Sequence, residues 1–67
     1  FRVDVNVAEA NELMAIPTVG RKLAEAMVDH RQQTGPFESH ESLLDVYGLG
    51  PKKLAKIQKY LLPIDGD

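Results

Sequence analysis

The chain repeats itself with an offset of thirty residues. The segment ELMAIPTVGRKLAEAM, residues 12–27, aligns with SLLDVYGLGPKKLAKI, residues 42–57. The matching pairs are Leu13 with Leu43, Ile16 with Val46, Val19 with Leu49, Gly20 with Gly50, Lys22 with Lys52, and Met27 with Ile57. Self-similarity at a fixed spacing is typical of one supersecondary unit used more than once. The sequence therefore predicts two copies of one unit, in a chain whose 67 residues suffice for a single small domain.

Apolar residues at helical spacing flank a short break in each copy. In the first copy, Leu13 and Ile16 lie three residues apart, residues 17–20 interrupt the pattern, and Leu23 and Met27 continue it. The apolar positions of the second copy are Leu43, Val46, Leu54, Ile57 and Leu61. Each copy predicts a helix, a tight turn and a second helix, so the expected fold is a compact all-α tandem with four to five short helices.

Capping residues predict where the helices begin and end. We expect Asn6 to cap the first helix, with Glu9 completing a capping-box pair, and Pro17 to close that helix. Ser39 is expected to cap the third helix. Pro51 suits the first position of the fourth helix, where its missing N–H costs nothing.

Composition limits the classes of function. Hydrophobic residues make up 43% and charged residues 27%, as in an ordinary globular protein, and Cys is absent. A domain of residues 1–62 followed by a flexible tail at 63–67 leaves little room for a deep catalytic cleft, so neither enzyme activity nor a cofactor is expected. The apolar runs are too short for a membrane span. The chain opens on Phe1 rather than Met, so we expect it to be part of a longer protein.

Charge is distributed unevenly along the chain. The formal net charge is −2, but residues 1–45 carry four basic and eight acidic side chains, whereas residues 46–64 carry four lysines and no acid. For association with a charged partner, the local electrostatic field matters more than the net charge of the chain, because charges more than ~10 Å apart are screened at moderate salt. We therefore predict a basic patch in the C-terminal third, formed by Lys52, Lys53, Lys56 and Lys59.

The Gly48-Leu49-Gly50 turn admits two interpretations. It is either a tight turn alone or a turn whose bare main chain contacts a phosphate, because two glycines remove the Cβ atoms that would hold a ligand away. Leu49 would point into the core and fix the turn. We favour phosphate contact, because the first copy repeats both the glycine and the lysine. The predicted nucleic-acid contacts are Thr18, Val19, Gly20, Arg21, Lys22, Gly48, Leu49, Gly50, Lys52, Lys53 and Lys56.

The remaining polar residues give weaker signals. His30 and His40 have no partner Cys or His at metal-ligand spacing, so no metal site is expected. Glu25 and Asp29 lie four residues apart, where a solvated helix face explains them better than an acid and base pair. With two Phe and two Tyr, the chain has few aromatic rings for stacking on single strands.

Residues 3–61 resemble the helix-hairpin-helix domain of the ComEA competence proteins. VDVNVA at 3–8 is similar to the opening segment of that family, ELMAIPTVG at 12–20 to its first hairpin, GPF at 35–37 to its linker, and YGLG at 47–50 to its second hairpin. The resemblance implies two hairpins related by pseudo-two-fold symmetry, and binding of double-stranded DNA without sequence specificity.

The resemblance also bears on location. ComEA-type domains are periplasmic or anchored outside the cytoplasmic membrane and receive DNA during uptake. Similar domains occur within larger proteins, including Tex-type transcription accessory factors, and a chain of that kind would be cytoplasmic. The sequence leaves these two settings open.

Two positions depart from the family pattern. Thr18 replaces a Gly in the first hairpin, and a β-branched residue tolerates positive φ poorly, so we expect that hairpin to adopt another backbone or to bind less well. The Thr18 hydroxyl would compensate if it bonded the helix start or a phosphate. Tyr47 replaces a Pro in the second hairpin. It either lies beside a sugar-phosphate chain or packs half-buried, and we favour packing.

A protein-interaction or scaffolding module is the alternative function. A pair of hairpins can keep its fold after DNA binding is lost. The altered first hairpin and the acidic residues on the first two helices are consistent with such a loss. A third possibility is a domain that supplies DNA grip to a catalytic domain elsewhere in a parent chain. Affinity for DNA falls steeply with salt, whereas an apolar protein interface is far less sensitive.

Overall fold

The computed structural model describes residues 1–64. This part of the chain contains five short helices. They are α1 (Ala10–Met14), α2 (Arg21–Thr34), a first 3₁₀ helix (His40–Asp45), α3 (Pro51–Ile57) and a second 3₁₀ helix (Gln58–Tyr60). The described residues form no strand, so the predicted all-α fold with four to five short helices is confirmed. Residues 65–67 of the expected tail lie outside the described residues.

The two copies predicted from the repeat fold alike. In the first, α1 and α2 form a hairpin, and in the second the first 3₁₀ helix and α3 do so. The matching main-chain hydrogen bonds, with their N···O distances, are Val19 to Ile16 (3.1 Å) and Leu49 to Val46 (3.1 Å), then Ala24 to Gly20 (2.9 Å) and Leu54 to Gly50 (2.9 Å). Equal spacing in the sequence has therefore produced equal turns.

Both copies bury the same positions in one hydrophobic core. Leu13 and Leu43 are fully buried, and so are Met27 and Ile57. Burying a side chain of this size contributes roughly 1.5–3 kcal/mol, which is substantial for so small a domain. At the centre of each turn, Val19 and Leu49 are buried as well, so each turn is fixed to the core by its middle residue.

The two ends of the domain are joined by an isolated parallel bridge between Val3 and Leu61. The Val3 N–H donates to the Tyr60 carbonyl at 2.8 Å, and the Leu62 N–H donates to the Val3 carbonyl at 2.8 Å. Beyond the bridge, Ile64 is partly buried against the core, although the sequence placed it in a tail. The N-terminal segment is thus held beside the segment that follows α3.

Asn6 does not cap α1, and that prediction is wrong. The N-cap is Glu9, whose main-chain N–H donates to the Glu12 carboxylate at 3.1 Å. The Asn6 amide instead bonds both main-chain groups of Phe37: it accepts the Phe37 N–H at 2.7 Å and donates to the Phe37 carbonyl at 3.0 Å. Asn6 therefore fastens the N-terminal segment to the linker between the two copies.

The two predictions for helix starts in the second copy are confirmed. Ser39 is the N-cap of the first 3₁₀ helix, and its main-chain N–H donates to the Ser42 hydroxyl at 3.4 Å. Pro51 occupies the first turn of α3. These residues fix where the second hairpin begins and where its outer helix starts.

Candidate nucleic-acid interface

The two hairpin turns have the same backbone. Thr18 has φ 73° and Gly48 has φ 90°, both in the left-handed region. Gly20 (φ −90°, ψ −179°) and Gly50 (φ −98°, ψ 176°) are both extended and serve as N-caps of α2 and α3. In each turn a buried apolar residue lies between these two exposed ones. Each turn therefore presents its main chain to solvent.

Thr18 adopts the positive φ that its side chain disfavours. Of the two alternatives for the first hairpin, a different backbone is therefore wrong, and weaker binding stays a prediction. The neighbouring core residues explain this, because Ile16 and Val19 are both buried and fix the chain on either side of Thr18. A non-glycine residue in this region costs on the order of 1–3 kcal/mol of strain. The core therefore overrides the local preference of a β-branched residue.

We expect Thr18→Gly to stabilise the domain and Gly48→Thr to destabilise it. Thr18→Gly relieves the strain, which outweighs the loss of roughly 0.5–1 kcal/mol from added backbone freedom in the unfolded chain. A net change of about 1 kcal/mol shifts the melting temperature of a domain this small by roughly 4–8 °C. Thermal unfolding followed by circular dichroism measures both variants. Equal melting temperatures for both variants and the parent would contradict this account of the two turns.

A cleft of about 840 Å³ lies where the two turns meet. It is lined by Thr18, Gly48, Gly50, Pro51, Lys52, Lys53 and Lys56. Lys52 and Lys56 are exposed, whereas Lys53 is half-buried. No acidic residue lines this cleft, so an anion in it would meet three ammonium groups and exposed main chain.

A smaller cleft of about 280 Å³ shares two of these residues, Thr18 and Lys56. Its other lining residues are Pro17, Ala55, Lys59 and Tyr60. The basic surface of the large cleft therefore continues to Lys59, as the charge distribution of the sequence indicates.

The structure brings together only part of the predicted contact set. The large cleft contains Thr18, both glycines of the second turn and three of the predicted lysines. Val19 and Leu49 are buried, so they offer main chain alone. Gly20, Arg21 and Lys22 are exposed but do not line the cleft. The assignment of these residues as DNA contacts stays a prediction.

Tyr47 is 94% exposed, so the favoured prediction of a half-buried packing role is wrong. The core side of this turn is already occupied by Val46 and Leu49, which leaves Tyr47 at the tip, directly before Gly48. The repeat contains the signal that predicts this placement, because Tyr47 aligns with Pro17, and Pro17 is exposed too.

Both histidines have structural roles. The His30 ring stacks on Phe37 with centroids 5.2 Å apart. His40 is buried, with Nε2 2.9 Å from the Leu62 carbonyl oxygen and Nδ1 3.1 Å from the Gln58 amide nitrogen. Within residues 1–64, no three His, Cys, Asp or Glu side chains cluster as metal ligands would. None of the described helices has the length and apolar character needed to span a membrane.

Two helical hairpins with matched, outward-facing turns define a tandem helix-hairpin-helix domain. The family described as "Helix-hairpin-helix motif" matches residues 2–62, and the chain belongs to that family. The resemblance to ComEA-type domains is confirmed by the relatives found in bacteria.

The relatives come from bacteria and vertebrates. ComE operon protein 1 of Bacillus subtilis is 38% identical over 56 residues, which cover 84% of this chain and 27% of that protein. A Haemophilus influenzae protein is 38% identical over 56 residues, covering 82% of this chain and 50% of that protein. The human endonuclease/exonuclease/phosphatase family domain-containing protein 1 is 37% identical over 57 residues, covering 85% of this chain but 10% of that protein. The chain thus spans from a tenth to half the length of these relatives.

Proposed function

We propose that this domain binds double-stranded DNA without sequence preference, through the phosphates that border one groove. The observation that carries the proposal is the large cleft, in which the main chain of the turns meets Lys52, Lys53 and Lys56. Main-chain N–H groups and ammonium groups suit phosphate oxygens, and they carry no base-specific pattern of donors and acceptors. Membership of the helix-hairpin-helix family supports the same conclusion.

The main chain of the second turn is open to a ligand. A Cβ added at Gly48 or Gly50 would meet no atom of the protein within 4 Å, so the space in front of both residues is empty. A phosphate that enters this space can accept hydrogen bonds from the turn and from the first N–H groups of α3, which have no partner within the helix. Lys52 and Lys53 then supply charge on the same side.

The size of the domain limits the footprint. Its longest dimension is 24 Å, and each strand of a duplex carries one phosphate per ~3.4 Å of helix axis, so about seven phosphates of one strand span the domain. Contact with about four to six phosphates is therefore reasonable for two turns and their lysines. At ~0.9 counterions released per phosphate, the slope of log affinity against log salt is roughly −4 to −5.

This slope is the test of the proposed function. We expect a dissociation constant of ~10⁻⁴ to 10⁻⁶ M at physiological salt, with no dependence on sequence, measured by fluorescence anisotropy on short labelled duplexes. The titration is repeated between ~50 and 200 mM salt to obtain the slope. Absence of binding at the lowest salt would contradict the proposal and favour the protein-interaction module.

We propose that, within a longer protein, this domain binds DNA and does not itself catalyse a reaction. The resemblance to ComEA-type domains, which receive DNA during uptake, favours such a role, and ComE operon protein 1 is among the relatives. The similarity to the endonuclease/exonuclease/phosphatase family domain-containing proteins covers only 10% of their length, and it favours attachment to a separate, larger region. In both settings this domain would contribute affinity, and another part of the protein would determine what happens to the DNA.

A further inference from the structure

We propose that Tyr47 lays its ring on a deoxyribose at the groove edge of the bound duplex, beside the phosphate that the second turn holds. This inference rests on the proposed function and adds an uncharged contact to it. Tyr47 is the most exposed large hydrophobic residue of the described chain, at 94%, ahead of Phe1 at 73%. Its ring has no packing role within the domain.

The main chain of Tyr47 lies next to the basic cleft, although its ring is not part of the cleft lining. Tyr47 directly precedes Gly48, which lines that cleft, and successive Cα atoms lie ~3.8 Å apart. The neighbouring Val46 is buried, which fixes the main chain on the other side of Tyr47. The ring therefore projects from a fixed turn, and little additional ordering of the main chain is needed when it meets a ligand.

The chemistry of the ring favours a sugar over a base. In an intact duplex the faces of the bases are covered by their neighbours, whereas the carbon edge of each deoxyribose is open to the groove. A tyrosine offers an apolar face for such an edge and a hydroxyl that remains in water. The lysines of the cleft attract the phosphates, so the sugars beside those phosphates are brought to the ring.

The two hairpins differ in this contact. The residue aligned with Tyr47 in the first hairpin is Pro17, which has neither an aromatic ring nor a hydroxyl. The second hairpin therefore contributes an uncharged contact that the first lacks. Because Tyr47 carries no charge, its contribution must appear in the affinity and leave the salt slope unchanged.

The test compares Tyr47→Ala, Tyr47→Phe and the control Val7→Ala on one duplex at several salt concentrations. Val7 is also exposed, at 70%, but unlike Tyr47 it is not a chain neighbour of any residue that lines the large cleft. We expect Tyr47→Ala to weaken binding about fivefold to tenfold with an unchanged salt slope, at the lower end of the usual effect of losing an aromatic stack. Tyr47→Phe and Val7→Ala should bind within about twofold of the parent, because the apolar face of the ring is kept or was never involved.

Fluorescence provides a direct readout. The chain has two tyrosines and no tryptophan, so in a Tyr60→Phe variant Tyr47 is the sole fluorophore of its class. We expect duplex DNA to change its emission in proportion to saturation.

Three outcomes would overturn the inference. If the parent binds duplex and Tyr47→Ala binds equally well, the sugar contact is absent while the proposed function stands. If the parent binds no DNA, both fail. If the parent prefers single strands and Tyr47→Ala removes that preference, the ring stacks on bases instead.

Discussion

Lys52→Glu combined with Lys53→Glu is expected to abolish duplex binding. Both lysines line the cleft where the turns meet, and each substitution replaces an attractive charge with a repulsive one. Loss of the contacts with about two phosphates, together with the added repulsion, should lower affinity by more than ~100-fold. A gel-shift titration measures the loss, and unchanged affinity of the double variant would remove the basis for the proposed interface.

The double variant should remain folded. Lys52 is exposed and Lys53 half-buried, in the first turn of α3. Acidic residues at a helix N-terminus are favourable by ~0.3–1 kcal/mol each, whereas lysines there are not. We therefore expect the melting temperature to stay level or rise, so that loss of binding cannot be attributed to unfolding.

A charge-matched pair of variants separates the cleft from the net charge. Lys52→Gln with Lys53→Gln lowers the net charge by two, and so does Gln32→Glu with Gln33→Glu on an exposed part of α2. We expect the lysine pair to reduce the salt slope by about two, while the glutamine pair changes affinity only slightly. Equal losses would mean that binding follows total charge rather than this cleft.

Much of the fold could be predicted because two regularities reinforce each other. Helical spacing identifies the apolar positions, and the thirty-residue repeat places a second apolar residue at the equivalent position of the other copy. Leu13 and Leu43, for example, are each expected in the core and are both fully buried. The turns follow from the same alignment, since their middle residues, Val19 and Leu49, are buried as well.

The errors arose where tertiary contacts decided the outcome. Asn6 had a plausible local role as a cap, but its amide is bonded to Phe37, which lies 31 residues away. Thr18 was judged by its intrinsic preference, whereas the buried residues around it impose the turn. The predicted packing role of Tyr47 fails because Val46 and Leu49 already fill the core positions of its turn.

The cleft itself required the structure. The sequence predicted the two turns and the basic patch, but nothing in it showed that Thr18 of the first hairpin lines the same cleft as the lysines of the second. The same limitation applies to Arg21 and Lys22, which suit phosphate contact as first-turn residues of α2 but do not line the cleft. A repeat predicts how each copy folds, whereas the packing of one copy on the other determines the shared surface.

Gly50→Val is expected to weaken duplex binding by roughly 10- to 100-fold. The valine would block the main-chain contacts of one turn, which are a large share of all contacts between the domain and phosphates. The fold does not require glycine at this position. Gly50 has φ −98° and ψ 176°, which any residue adopts, and an added Cβ meets nothing within 4 Å. The added side chain therefore occupies the space into which a phosphate would come.

The melting temperature of Gly50→Val controls for stability, and a second variant, Thr18→Val, controls for bulk. Replacing glycine by valine at an N-cap costs about 1 kcal/mol, which is offset in part by ~0.4–1 kcal/mol from a stiffer unfolded chain, so the melting temperature should change little. Thr18→Val keeps both the shape and the main chain of the first turn, and we expect it to weaken binding far less than Gly50→Val. Titration of both variants with one duplex compares them, and equal binding by Gly50→Val and the parent would show that DNA does not approach the main chain of this turn.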